Sequence, residues 1–216
     1  MRNLILAVVV GLAVGCSDNT SPTTPSEVTP SFQVVDKAQH EQLKQQLEAA
    51  KQRMKQERDE GKLALEVARA QWKAYRKQFK DAKKTGGMLI DLLRCEPRPL
   101  EGDAEIIGPE GGTLHIGEHE LVIPRGALSE EKLIVAEART SSLVDVQFEP
   151  EGLQFQVPAT LTLSYKGCDV PAGVDLMVAY LSVGNQIAEL PPSEDYRSYS
   201  EVIGEIRHFS RYAVAY

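Results

Sequence analysis

The stretch LQFQVPATLTLSY, residues 153–165, decides the fold of this chain because its apolar residues recur at every second position. From 153 to 157, Leu, Phe and Val alternate with two glutamines, and from 160 to 165 two leucines and a tyrosine repeat the alternation. A period of two places one row of side chains in a core and the other in water, which is typical of half-buried β-strands. We therefore expect two strands here, with Leu, Phe and Val of 153–157 turned toward one core.

Similar short runs fill the C-terminal half of the chain, and Gly, Pro, Asn and Asp separate them. Many short strands divided by turn residues predict an all-β sandwich over residues 104–216. The expected strands are 104–107, 112–116, 119–123, 133–139, 144–148, 153–157, 160–165, 176–183, 187–190 and 202–216.

A series of phrases in this half resembles one protein family. In chain order they are IGPEGGTL (107–114), LVIPRGAL (121–128), FEPEGLQF (148–155), VPATL (157–161) and HFSRYAV (208–214). This order resembles the ZU-five domain, known from zonula-occludens scaffolds, ankyrins, Unc-five-type netrin receptors and bacterial lipoproteins, and the likeness covers residues 105–216. The resemblance implies a β-sandwich that serves as a protein-interaction and assembly module, without a cofactor.

One phrase suggests chemistry. His208-Phe209-Ser210 resembles the HFS motif of self-cleaving ZU-five relatives, in which the serine hydroxyl attacks the preceding carbonyl. The resemblance implies that Ser210 is the nucleophile and that cleavage falls between Phe209 and Ser210. A weak nucleophile needs a base, and His208 is the nearest candidate in sequence; the other histidines are at 40, 115 and 119. Alternatively, Phe209 belongs to the core and the polar residues bond locally, which is the reading we favour.

An enzyme that acts on outside substrates is not expected. The chain has no GxSxG elbow, no HExxH pair and no phosphate-binding loop. It also lacks a CxxC pair and the acidic density of a calcium loop, so we expect neither a metal nor a cofactor.

The N-terminus predicts export. A basic start and an apolar run from Leu4 to Val14 are typical of a secretory signal peptide, here residues 1–15, and the run is shorter than the ~20 residues of a membrane-spanning helix. Cys16 follows Ala13-Val14-Gly15, which resembles the lipobox of bacterial lipoproteins and implies lipidation of Cys16. The alternative is an ordinary signal peptide followed by a chance cysteine.

These features predict a bacterial protein of the cell envelope, held at the membrane by a lipid anchor on Cys16. Residues 16–35 are rich in Ser, Thr and Pro and form the expected tether. Ser17 is compatible with sorting to the outer membrane, with the protein facing the periplasm or the cell surface, if the organism has one.

Residues 36–84 contain no proline and are dominated by good helix formers, so we expect one long helix or two helices with coiled-coil character. Gly61 marks the expected break. Residues 37–84 carry a net charge of +7, whereas 85–216 carry −12. We expect a solvated basic helix that acts as a spacer or supports a homo-oligomer, and no nucleic-acid binding. The expected apolar stripe consists of Leu43, Leu47, Ala50, Met54, Ala64, Ala68, Trp72, Tyr75, Phe79 and Ala82.

Two cysteines remain once Cys16 is lipidated. Cys95 lies in the predicted linker 85–103, and Cys168 follows a predicted strand. Because exported proteins meet oxidising conditions, we expect a Cys95–Cys168 disulfide, with two free thiols as the alternative. Together these expectations describe a membrane-anchored, non-enzymatic binding or structural module with a protein or cell-wall partner. The whole chain is α+β by content, and self-processing is the alternative function.

Overall fold

The structure is a computed structural model that describes residues 37–61, 64–71, 73 and 91–216. The predictions for the signal peptide, Cys16, the tether and Trp72 lie outside these residues. The described part contains an N-terminal helix, α1 (Lys37–Glu60), and eleven strands. The strands are β1 (Glu101–Ile107), β2 (Gly112–Ile116), β3 (His119–Ile123), β4 (Lys132–Ala138), β5 (Asp145–Glu149), β6 (Gln154–Ser164), β7 (Met177–Leu181), β8 (Ile187–Glu189), β9 (Ser193–Tyr196), β10 (Glu201–His208) and β11 (Arg211–Ala215).

The strands form two antiparallel sheets that enclose one core, as the sequence predicts. The six-stranded sheet has the order β1-β4-β5-β11-β7-β8, and the five-stranded sheet has the order β2-β3-β6-β10-β9. Along β6 the alternation holds: Leu161 and Leu163 are fully buried, while Thr160 and Thr162 lie on the wetter face. The prediction of a β-sandwich is therefore confirmed.

The stretch 153–165 differs from its prediction in one respect. It forms a single strand, β6, which continues through Pro158. Ile206 of β10 pairs with Ala159 and His208 pairs with Gln154, so four residues of β6 face one residue of β10. This bulge leaves room for a proline that cannot donate to the ladder. It also corrects the prediction for Val157, which is 42% exposed rather than buried.

The last expected strand, 202–216, is two strands in two different sheets. β10 belongs to the five-stranded sheet and β11 to the six-stranded sheet. Phe209 and Ser210 form the corner between them. The edge strand β9 was not expected from the sequence, because its residues SEDY show no apolar alternation.

The sandwich begins earlier than residue 104. β1 starts at Glu101, and the residues before it already pair with strands: Leu92 bridges Ala215, and Arg94 bridges Leu143. Leu93 is almost fully buried in the core. Part of the expected linker 85–103 is thus built into the sandwich.

Helix α1 ends at Glu60, Gly61 forms a turn, and residues 64–71 are again helical. The helix lies across β1 and β4, on the outer side of the six-stranded sheet. Its residues Leu47, Ala50 and Met54, expected to serve a coiled coil, pack here on Ala104 and Val135. A long coiled coil is not shown and stays a prediction.

Candidate functional site

The segment with predicted chemistry, His208-Phe209-Ser210, lies where the chain crosses from one sheet to the other. His208 is the last residue of β10, and Arg211 is the first of β11. A corner between packed sheets must turn sharply while its backbone stays hydrogen-bonded. The contacts of these three residues therefore show whether they stabilise the corner, could cleave the Phe209–Ser210 peptide bond, or both.

The Phe209 side chain is a core residue. It is fully buried, stacks on Phe148 with ring centroids 5.1 Å apart, and meets Phe155 edge-on at 4.9 Å. Aromatic pairs at these distances stabilise a core beyond the effect of burial alone. The structural role expected for Phe209 as an alternative to cleavage is therefore present.

The backbone around Phe209 is fixed by three hydrogen bonds. The Phe209 N–H donates to the Leu153 carbonyl at 2.8 Å, and the Phe209 carbonyl accepts the Gly152 N–H at 2.8 Å. The Ser210 carbonyl accepts the Phe148 N–H at 3.0 Å. The Phe209 carbonyl is the one that Ser210 would attack, and a backbone N–H aimed at such an oxygen stabilises the negative charge of a tetrahedral intermediate.

His208 lies in a small aromatic cluster with Tyr180 and Tyr212. Its ring meets Tyr180 edge-on at 5.0 Å, and its Nδ1 is 3.5 Å from the Phe209 carbonyl oxygen. The Tyr212 hydroxyl donates to the His208 carbonyl at 2.8 Å and lies 3.4 Å from Nδ1. Burial, with smaller contributions from Glu189 and Tyr180, raises the pKa of Tyr212 well above its usual value, so Tyr212 is a neutral donor here.

The Ser210 hydroxyl is not paired with a base. Ser210 is buried, and within residues 91–216 no hydrogen bond joins its hydroxyl to an imidazole. His208 Nδ1 points instead toward the carbonyl oxygen and Tyr212. The arrangement has a polarised carbonyl and a nearby histidine, and proton removal from Ser210 would require His208 to turn.

The other three histidines are placed elsewhere. His119 accepts a hydrogen bond from the Ser164 N–H at 3.0 Å, at the opposite end of β6 from the corner. Ser164 pairs with Glu201, seven residues along β10 from His208, which is a distance of about 23 Å. His115 is exposed beside Glu120, and His40 lies on α1 beside Glu131. Among the histidines, all four of which lie in the described part of the chain, only His208 is placed near Ser210.

A small cavity of about 50 Å³ opens beside His208 and Tyr212, with Glu189, Pro191 and Pro192 on its far side. A cavity of this volume with polar groups on its wall is large enough for a water molecule. Water is the second reactant that a self-cleavage reaction needs after the acyl shift.

The second pair of predicted site residues is joined. Cys95 and Cys168 form a disulfide with their Cα atoms 4.8 Å apart. The bond links the segment before β1 to the loop after β6, across 73 residues of sequence. The expected disulfide is thus present, and it ties the start of the sandwich to its body.

Among the described residues, no three His, Cys, Asp or Glu side chains lie close enough to hold a metal ion. No helix of the described part has the length and apolar character that a membrane crossing requires. No model of a known protein family matches this chain, and no curated protein matches it.

Sequence reasoning missed the neighbours that give the HFS corner its geometry. Gly152 follows from the FEPEGLQF phrase only as a turn glycine, and Tyr180 lies in a strand with no polar motif around it. Tyr212 is part of the HFSRYAV phrase, yet nothing in the sequence shows that its hydroxyl donates a hydrogen bond to the His208 carbonyl. Pairing of β11 with β7 brings Tyr180 opposite Tyr212, and this pairing is a tertiary fact.

Proposed function

We propose that this protein is a lipid-anchored protein of the bacterial cell envelope whose folded part is a ZU-five-like binding module. Cys16 carries the anchor, residues 16–35 form the tether, and the sandwich recognises a protein or a cell-wall partner. The helical segment 36–84 contributes spacing or self-association. The module does not require catalysis to perform this role.

The observation that carries the proposal is the Cys95–Cys168 disulfide. Structural disulfides are rare in reducing compartments and common in exported domains, so the bond supports export. An exported protein needs a signal peptide, and we infer that the apolar N-terminus serves as that signal, with Cys16 directly after it.

The outer face of the five-stranded sheet supports a recognition role. Thr113, Val122, Thr160 and Glu205 are paired in one row across β2, β3, β6 and β10, and all four side chains are exposed. A row of short side chains on a sheet makes a flat surface suited to a protein or polymer that lies across it.

Fatty-acid labelling of cells that express the full chain tests the anchor. We expect label on the wild-type protein and none on the Cys16→Ala variant, which should also leave the membrane fraction. The matched control is Ser17→Ala, which keeps the cysteine and should stay labelled. Label on the Cys16→Ala protein would contradict the proposed anchor.

A photo-crosslinking residue at Val122 tests the binding face in intact cells. We expect a discrete crosslinked product from position 122. The control position is Val183, which is 94% exposed in a turn away from this face and should give none. Equal products from both positions, or none from 122, would speak against recognition by this sheet.

Deleting residues 39–84 tests the helical segment. If the segment drives self-association or wall binding, the shortened protein should be monomeric and should no longer sediment with cell wall. An unchanged oligomeric state and unchanged sedimentation would remove both roles.

A second candidate function is self-cleavage at the HFS corner, favoured by the hydrogen bond from the Gly152 N–H to the Phe209 carbonyl. Ser210 Oγ would bond to the Phe209 carbonyl carbon as the Phe209–Ser210 peptide bond breaks, and the Ser210 nitrogen would take the proton. Water would then hydrolyse the ester to a Phe209 carboxylate and a free Ser210 hydroxyl. A fragment of residues 210–216 that disappears in Ser210→Ala and persists in Ser210→Cys would support this reaction. A full-length mass after long incubation would exclude it.

A further inference from the structure

The outer face of β1 and β4 binds the helix α1 through a small apolar cluster. Met54 is the one buried residue of α1, with 8% of its surface exposed, and it packs on Ala104 of β1 and Val135 of β4. Ala50 and Leu47, one and two turns earlier on the same side of the helix, are only partly buried. The floor of this surface is therefore apolar, and two of the three α1 residues that pack on it stay partly exposed.

A glycine in β1 shapes the floor to the Met54 side chain. A Cβ at Gly102 would lie 2.7 Å from the Met54 sulfur and 2.9 Å from the Ala136 carbonyl oxygen, so no other residue fits without a shift. Glycine weakens a strand interior and commonly marks a close approach by another group. Gly102 thus leaves a notch into which the flexible methionine side chain fits.

Three carboxylates spaced along the β1–β4 face pair with basic groups of α1, and one of them, Glu137, is the β4 residue paired with Gly102. Glu137 accepts Arg53 at 3.0 Å, Glu131 meets His40 at 2.6 Å, and Glu105 meets Lys51 at 3.5 Å. The Glu137 side chain is only 9% exposed, and Arg139 lies 3.8 Å from its other oxygen. The surface therefore selects a basic helix by charge and a long apolar side chain by shape.

The hold on α1 is nevertheless weak. The His40–Glu131 and Lys51–Glu105 pairs are largely exposed, so each adds little to stability and weakens with salt. The Glu137 carboxylate is nearly buried, but Arg139 as well as Arg53 lies beside it. Covalent attachment keeps the face occupied despite these weak contacts, because a tethered helix is present at an effective concentration in the millimolar range. A helix that makes better contacts can therefore replace α1.

We propose that the β1–β4 face is a docking site for a basic amphipathic helix of a partner protein, with α1 as its built-in competitor. This proposal rests on the proposed binding function and names one surface and one class of partner for it. The partner helix presents a long apolar residue to the Gly102 notch, with basic residues one and three positions before it. A larger apolar residue at the position of Ala50 buries more apolar surface on the floor than the alanine of α1 does.

A partner is favoured over a second copy of this chain by the contacts themselves. The α1 of another copy makes the same contacts as the resident helix but has no tether to the receiving sandwich. It therefore has no free-energy advantage over the resident helix. A helix of a different protein binds more tightly if it buries more apolar surface at the positions of Leu47 and Ala50, where α1 is only partly buried. Helix exchange between copies is accordingly an outcome that the experiment must be able to report.

The test uses labelled peptides of residues 37–60 and the full chain with its own helix disabled by Arg53→Glu and Met54→Glu. We expect this chain to bind the peptide in a fluorescence-anisotropy titration, and to bind a peptide with Met54→Glu at least about tenfold more weakly. Adding Gly102→Val to the chain should abolish binding. A peptide with Ala50→Leu should bind more tightly than the unmodified one.

Displacement is measured on the wild-type chain by hydrogen exchange. Saturating Ala50→Leu peptide should remove amide protection from α1 while β1 and β4 stay protected. If the disabled chain does not fold, a wild-type chain cut by a protease site inserted after Gly61 supplies the empty receptor. No peptide binding to either receptor, or binding that ignores Met54 and Gly102, would overturn the proposal.

A stable dimer of the wild-type chain that Met54→Glu abolishes would also overturn the choice of a partner, because it would assign the face to a second copy. Failure of this proposal leaves labelling of Cys16 unchanged, whereas failure of the anchor leaves peptide binding unchanged. The two proposals are therefore tested separately.

Discussion

Phe209 shows how one residue can belong both to a motif and to the core. Its ring contacts Phe148 and Phe155 where the chain changes sheets. We expect Phe209→Ala to lower the free energy of unfolding by about 3–5 kcal/mol, because a large buried ring leaves a cavity behind. Phe209→Leu should cost less, since it fills part of that volume. Urea titrations of both variants measure the difference, and an Ala variant as stable as wild type would contradict the packing role.

His119 predicts a dependence of stability on pH. It is buried and accepts the Ser164 N–H, and burial, followed by the nearby charge of Arg98, lowers its pKa from 6.5 to about 4. The folded protein keeps His119 neutral over a range in which the unfolded chain binds a proton. Stability that is present above about pH 6.5 is therefore lost as the pH falls toward 4, by up to about 3 kcal/mol.

Chemical denaturation between about pH 7 and about pH 4.5 measures this slope. We expect His119→Gln to be less stable than wild type at neutral pH, because the hydrogen bond is altered, and to show a flatter pH profile. His115→Gln, an exposed histidine on the neighbouring strand, should keep the wild-type slope. A wild-type slope in the His119→Gln variant would assign the effect to other groups.

At the scale of elements, the spacing of the two sheets depends on Gly204 in β10. A Cβ there would lie 2.7 Å from Cγ2 of Val178 on the opposite sheet. We expect Gly204→Ala to cost about 1–3 kcal/mol through overpacking. Combining it with Val178→Ala should recover part of that loss, because the smaller side chain makes room. Additive effects of the two changes, measured by thermal or urea unfolding, would show that no such contact exists.

The disulfide is the second element-scale test. Reduction, or the double change Cys95→Ala and Cys168→Ala, should lower the free energy of unfolding by about 2–5 kcal/mol, the range typical of native disulfides in small secreted domains. Reductant should leave the double variant unchanged, which controls for other effects of the reagent. Equal stability with and without reductant in the wild-type protein would contradict a structural bond.

Elements with a clear period were predictable from the sequence, and those that depend on partners were not. The alternation in 153–165 is a local signal, so β6 was expected, but Pro158 made it look like two strands. Its continuity depends on a bulge opposite β10, which no local pattern records. The stripe that contains Leu47, Ala50 and Met54 predicted a helix with coiled-coil character, and a stripe alone does not tell whether a helix or a sheet covers it.

At the HFS corner, sequence reasoning found the residue types and missed the geometry. The resemblance pointed to Ser210 and His208, but their backbone neighbours come from a turn more than fifty residues earlier, at Gly152. The Gly102 notch could have been suspected from a glycine placed among strand residues with acidic neighbours. Its match to Met54 required the packing of α1 on β1.

At the scale of the whole molecule, we propose that a disulfide-bonded sandwich is held at the membrane by a lipid anchor at Cys16. The most direct test is the intact mass, without reductant, of the protein purified from membranes of bacteria that express the full chain. We predict a chain that begins at a triacylated Cys16, ends at Tyr216, and lacks two hydrogens relative to its reduced form. An unlipidated mass would contradict the anchor, and a mass ending at Phe209 would replace the passive module with a self-cleaving one.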